Sequence, residues 1–175
     1  MAGSNPTDRA APELRSGARR WGRSQDDRIH DPYKAAAKLH EPTLCSQCGA
    51  VFHQGRWQWM PAPSGTHAAL CPACHRINDR YPAGILTLSG AIVAARKDEL
   101  VHLARSQEKA EKPEHPLNRI MSIEDAAADR MVISTTDIHL PRRIGEAVAR
   151  AYKGDLTEQY DEGGYFVRVN WHRSD

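Results

Sequence analysis

Hydrophobic positions along this chain follow three different rules. Up to about Pro42 they are scattered without a period among Ala, Arg, Asp, Pro, Gly and Ser, so burial cannot offset the entropy of ordering the backbone. Residues 1–42 are therefore expected to form a disordered basic tail. Between Leu44 and Ile77 the apolar positions are short, aromatic or β-branched, and bracketed by two cysteine pairs. The stretch 51–60 predicts a strand of a small hairpin, and Pro61-Ala62-Pro63-Ser64-Gly65 a turn.

After Pro82 the apolar positions lengthen into regular elements. Ile85, Leu86, Leu88, Ile92 and Val93 read as one buried strand, too short to cross a membrane. Leu100, Leu103, Ala104 and Gln107 recur at three- and four-residue spacings among good helix formers, predicting an amphipathic helix over 96–112 that stops before Pro113. Two short strands are expected at 119–124 and 131–136. Asp137 can cap the next helix, Pro141 is tolerated in its first turn, and Gly154 can end it, with Leu140, Ile144, Val148 and Ala151 as the buried stripe. Strands at 156–160 and 165–172 flank the turn Asp161-Glu162-Gly163-Gly164. In the second, Tyr165, Val167, Val169 and Trp171 alternate with Phe166, Arg168, Asn170 and His172. The order predicts a βαββαβ ferredoxin-like domain over 83–175 with an extra C-terminal hairpin strand, both helices on one face of the sheet and the other face open.

The cysteines change the picture for residues 43–82. Leu44-Cys45-Ser46-Gln47-Cys48-Gly49 and Leu70-Cys71-Pro72-Ala73-Cys74-His75 are near-identical knuckles. Each C-x-x-C turn presents two thiolates, and two turns close a tetrahedral shell around one structural zinc ion, so this segment is expected to be a zinc ribbon. Four thiolates leave no coordination position open for water. Iron in the same cage, a redox pair, or replacement of one cysteine by His53, His67 or His75 are the competing readings. The fold class is then α+β, a zinc ribbon followed by a ferredoxin-like domain.

Composition adds limits. With 175 residues and 40% hydrophobic content the chain can build a modest core, and a formal charge of +2 does not by itself mark a nucleic-acid binder. No apolar run approaches the roughly 20 residues of a membrane span, and the first residues lack the apolar centre of a secretory signal, so a cytoplasmic location with reduced thiols is expected.

Charge distribution says more than net charge. Arg15, Arg19, Arg20 and Arg23 surround Trp21, a pattern suited either to phosphate contact and base stacking or to solubilising a tail. Arg142, Arg143, Arg150 and Lys153 lie opposite the apolar stripe of the predicted second helix, interrupted by Glu146, and form a candidate phosphate-binding ridge. Arg168, Asn170 and His172 would extend it if their sheet face is open. Arg56 and Trp57 lie between the knuckles, and alternation puts Trp57 and Trp59 on one face, either sealing the zinc module or stacking on a base. No phosphate-binding loop, nucleophile elbow or H-E-x-x-H motif is present, so no catalytic residue is assigned.

The knuckles, the Trp57 and Trp59 pair and the block from Thr135-Thr136-Asp137-Ile138-His139-Leu140 through Pro141-Arg142-Arg143-Ile144-Gly145-Glu146-Ala147 together resemble a family of small bacterial proteins of unassigned function. That family is distantly similar to the large-ribosomal-subunit export adaptors of archaea and eukaryotes. The resemblance implies zinc binding and contact with ribosomal RNA or a ribosomal subunit. The adaptors carry further cysteine knuckles, whereas this chain has two, so their multi-zinc docking surface does not carry over. The expected function is a non-catalytic, ribosome-associated RNA-binding protein. The alternatives are a zinc-ribbon protein-interaction module anchored by Trp57 and Trp59, and a small metal-dependent enzyme.

Overall fold

The computed structural model describes residues 31–33 and 39–174. The arginine cluster around Trp21 lies outside the described residues. The first unit contains β1 (Thr43–Cys45), β2 (Val51–His53), β3 (Arg56–Gln58) and β4 (His67–Ala69), paired in the order β3-β2-β1-β4, followed by α1 (Pro72–Asp79). The stretch expected as one strand is a complete hairpin. Gln54 and Gly55 both take positive φ, 52° and 76°, as a tight hairpin turn demands. The Glu41 carboxylate accepts both of their amides, at 2.6 and 3.2 Å. The unit also ends in a helix that the ribbon expectation did not contain. Cys71 caps it and Pro72 starts it, where the missing amide costs nothing.

Within the span expected as a disordered tail, the described residues 31–33 and 39–42 make defined contacts. Tyr33 stacks on the Arg76 guanidinium at 4.5 Å and donates its hydroxyl to Asp79, Asp31 pairs with Arg76, and Leu39 packs into the core of the cysteine unit.

The second unit runs β5 (Gly84–Ser89), α2 (Ala91–Ala95), α3 (Lys97–Glu111), β6 (Ile120–Ala127), β7 (Arg130–Thr135), α4 (Leu140–Tyr152), β8 (Asp155–Tyr160) and β9 (Val167–His172). Ile92 and Val93 belong to α2 rather than to the strand. Gly90, with φ of 116°, ends the strand beside the Arg173 carbonyl, and a Cβ there would lie 1.9 Å from that oxygen. The N-cap position of α4 is His139 rather than Asp137, but Asp137, two residues earlier, accepts the amides of His139 and Leu140 through Oδ2.

Five strands form one sheet in the order β6-β7-β5-β9-β8. A plain βαββαβ plan returns the strand after the second helix to the side of the first strand. Here that strand, β8, is at the edge, and β9 takes the inner place, parallel to β5. Side-chain polarity explains the exchange: Val167, Val169 and Trp171 of β9 are fully buried, whereas β8 is exposed along nearly its whole length. The apolar strand occupies the centre and the polar one blunts the edge.

The core lies on one side of this sheet. Leu86, Leu88, Met131, Ile133, Val169 and Trp171 pack against Leu100 and Ala104 of α3 and against Leu140, Ile144 and Val148 of α4. Ala151, expected in the stripe, is exposed. Ala147 and Gly145 complete the buried side of α4 instead.

Candidate metal centre

Two turns bring four thiols together. The first leaves β1 at Cys45 and reverses at Gly49, with φ of 79°, where the Gly49 amide bonds the Cys45 carbonyl. The second is the opening turn of α1, so Cys71 and Cys74 are held by helix geometry. The four Sγ atoms lie within 4.8 Å of one another, and those of Cys48 and Cys71 are 3.8 Å apart. A tetrahedral ion with bonds of about 2.3 Å places thiolates about 3.8 Å apart, the separation found between Cys48 and Cys71, so the cluster is of a size to hold a metal ion. Cys45, Cys71 and Cys74 are buried and all four are unbridged. Among the described residues, no histidine joins the cluster. His67 stacks with His40, and His75 lies beside Tyr33.

The thiols are not equivalent. Burial acts to raise Cys45, but amides of Cys71, Cys48 and Gln47 and the Cys48 thiol outweigh it and bring it down to about 6. Burial pushes Cys71 and Cys74 up, and the nearby sulfur charge adds to this at Cys71. Cys45 is thus a ready thiolate, whereas Cys71 and Cys74 must lose protons as a metal enters. Cobalt uptake, followed by its thiolate absorption, should therefore tighten as pH rises from about 6 to about 8 and release protons. An affinity independent of pH over that range would contradict this.

One further residue completes the site, and the sequence reading missed it. Arg119, immediately before β6 and only 9% exposed, directs Nη2 to Cys48 Sγ at 3.0 Å and Nη1 to Cys74 Sγ at 3.5 Å. Its Nε donates to the Pro116 carbonyl and its amide to Thr136 Oγ1, which fixes the guanidinium in place. Burial would lower its pKa, but bonding to Cys48 and the sulfur charge raise it. A lone arginine before a strand carries no signal of this role. Its partners lie 71 and 45 residues away in sequence.

No family model, curated protein or solved structure matches the chain. Function must be read from these residues themselves. Among the described residues, no helix is long and apolar enough to cross a membrane.

The other candidate residues are dispersed. Trp57 is 9% exposed, its ring 5.5 Å from that of Phe52 inside the core around the cysteines, so it seals the centre and is not presented for stacking. Trp59 lies one residue beyond the end of β3. It is 38% exposed, donates Nε1 to the Lys112 carbonyl at 2.7 Å, and has the Arg119 guanidinium 5.9 Å from its ring. It staples the cysteine unit to the end of α3.

The basic ridge is largely compensated. Arg142 pairs with Glu158 at 2.8 Å and Arg143 with Glu111 at 2.9 Å, both acids arriving from other elements, while Glu146 lies 4.0 Å from Arg142. Arg150 and Lys153 remain exposed at the end of α4. Arg56 is exposed on the small sheet and Arg168 on the large one, so the two do not share a strand surface.

Arg168 is on the helix-free face. Register aligns Ser122, Ser134, Ile85, Arg168 and Gln159 across five strands. A second row, Glu124, Val132, Thr87, Asn170 and Thr157, lies beside it. Arg168, Asn170 and His172 are all exposed, and the Arg168 guanidinium rests 4.7 Å from the Phe166 ring centre.

Proposed function

We propose that the four cysteines hold one structural zinc ion and that the protein is a non-catalytic, cytoplasmic RNA-binding protein that associates with ribosomal RNA. The observation that carries this reading is the uncovered face of the five-stranded sheet, where Arg168, Asn170 and His172 stand exposed in one line. An open sheet of this kind suits unstacked bases, with arginine supplying both stacking and phosphate contact. The ion pairs of Arg142 and Arg143 move the main RNA surface from α4 to β9. Zinc is favoured by a donor set of four clustered thiolates, and a closed thiolate shell leaves the ion a structural task. The protein-interaction alternative loses the anchors it called for, because Trp57 is buried and Trp59 is tied to Lys112.

Fluorescence anisotropy of a labelled single-stranded RNA provides the test. Binding should weaken steeply between about 50 and 200 mM salt. Arg168→Glu should reduce affinity about tenfold or more and flatten the salt slope by about one. Arg142→Glu with Arg143→Glu should cost less. Absence of binding at low salt, or an Arg168→Glu variant that binds like the parent, would end this reading. Comigration with ribosomal particles on a sucrose gradient, abolished by ribonuclease, extends the test to the ribosomal partner.

A further inference from the structure

A cleft of about 410 Å³ lies where the cysteine unit meets the large sheet, with Arg76, Tyr81, Asp161, Tyr165, Phe166 and Arg168 among its walls. It uses none of the metal-centre residues. The volume suits one nucleotide-sized ligand and excludes a duplex.

Both walls are built rigidly. Tyr81 follows the left-handed residue Arg80 that ends α1, and its amide bonds the Arg76 carbonyl at 2.9 Å. Arg76, whose side chain is 4% exposed, donates in return to the Tyr81 carbonyl and lies 5.9 Å from the Tyr81 ring centre. The ring also lies 5.7 Å from that of Tyr33, and the residue is nevertheless 54% exposed. It is a fixed aromatic surface with no role in the core, so stacking on it costs little ordering entropy.

The opposite wall is the β8–β9 turn, where Asp161 Oδ1 accepts the amides of Tyr165 and Phe166 at 2.9 and 3.1 Å. A carboxylate can accept about four bonds, so Asp161 keeps capacity for a ligand. Arg168, poised on Phe166, adds a cation at the mouth where the cleft opens onto the sheet face.

A flat aromatic wall, a carboxylate acceptor and an arginine together call for a planar ring with adjacent N–H donors and an attached phosphate. We infer that this cleft binds one unstacked guanine nucleotide, whose N1–H and N2–H face Asp161, whose ring stacks on Tyr81 and whose phosphate meets Arg168. Among the bases, guanine alone offers two neighbouring donors on its pairing edge. The inference deepens the sheet-face reading and rests on it when the guanine belongs to an RNA strand.

The experiment compares labelled five-nucleotide RNAs that are all uridine except for a central G, A, C or U, and adds guanosine monophosphate alone followed by amide NMR shifts. The G-centred strand should bind about tenfold tighter than the all-uridine strand. Tyr81→Ala should weaken every strand and remove most of that margin. Asp161→Asn, which keeps an Oδ1 acceptor for the turn amides, should abolish the guanine preference while leaving uridine binding intact. Amide spectra of both variants establish that they fold.

Equal binding of all four strands that still depends on Arg168 would overturn the guanine cleft and leave the sheet-face reading standing. Shifts at Tyr81, Tyr165 and Phe166 from guanosine monophosphate, with no strand bound, would retain the cleft as a free-nucleotide site and remove the RNA reading. No response to either probe would overturn both.

Discussion

Chelation of a metal ion held by the four cysteines is expected to unfold the cysteine unit while the five-stranded unit stays folded. Three of the six buried members of the small core are the ligands Cys45, Cys71 and Cys74, with Ala50, Ala73 and Trp57 as the rest. So little apolar surface cannot order this segment, whereas a structural zinc site contributes roughly 10–16 kcal/mol of apparent binding free energy. The large sheet has its own core around Trp171, Leu86 and Ile144, which contains no ligand.

Hydrogen exchange should show protection lost across β1 to β4 and α1 and kept across β5, β7 and β9. Cys48→Ser should give a milder version of the same pattern. Unchanged protection of β1 to β4 after the metal has demonstrably been removed would show that the segment folds without it. The cleft beside Tyr81 should lose ligand binding in the chelated protein, because α1 forms one of its walls.

The second large effect is expected at Arg119. Arg119→Met keeps much of the side-chain volume but removes the bonds to Cys48 and Cys74 and, among the described residues, the positive charge bonded to the sulfurs. A charged hydrogen bond contributes about 1.5–3 kcal/mol and the longer bond to Cys74 adds less than the one to Cys48, so loss of the pair should destabilise the metal-loaded protein by about 2–4 kcal/mol and hasten metal transfer to a competing chelator. The Pro116 and Trp59 contacts of this arginine would go as well, loosening the cysteine unit from α3. Arg119→Lys should recover only part of the effect, because an ammonium cannot reproduce the two-pronged donor geometry. Zinc transfer and thermal midpoint both equal to those of the parent in Arg119→Met would show that the guanidinium is a bystander.

Much of the site was legible because its signals are local. Each C-x-x-C pair lies within one turn, so spacing alone reports that its two thiols converge, and the alternation of Val167, Val169 and Trp171 marks the buried side of β9 without reference to any neighbour. The helices α3 and α4 and the bonding of Asp137 to the opening turn of α4 follow from periodicity and side-chain chemistry in the same way. The short strand at β5 was blurred because an apolar run does not distinguish strand from buried helix, and the break at Gly90 depends on the distant Arg173 carbonyl.

The sequence by itself determined that Cys45, Cys48, Cys71 and Cys74 form two chelating pairs, that a mixed α+β unit follows them, and that Arg168 alternates with the apolar core residues of the last strand. Only the tertiary structure decided that Trp57 is sealed inside, that Glu158 and Glu111 compensate Arg142 and Arg143, that β9 displaces β8 from the centre of the sheet, and that Arg119 reaches the thiols. Turns and periodic faces are governed by neighbours a few bonds away. Ion pairing, strand order and the capping of a metal centre depend on which distant segments can bury their apolar surface together, and that competition is resolved only when the whole chain folds.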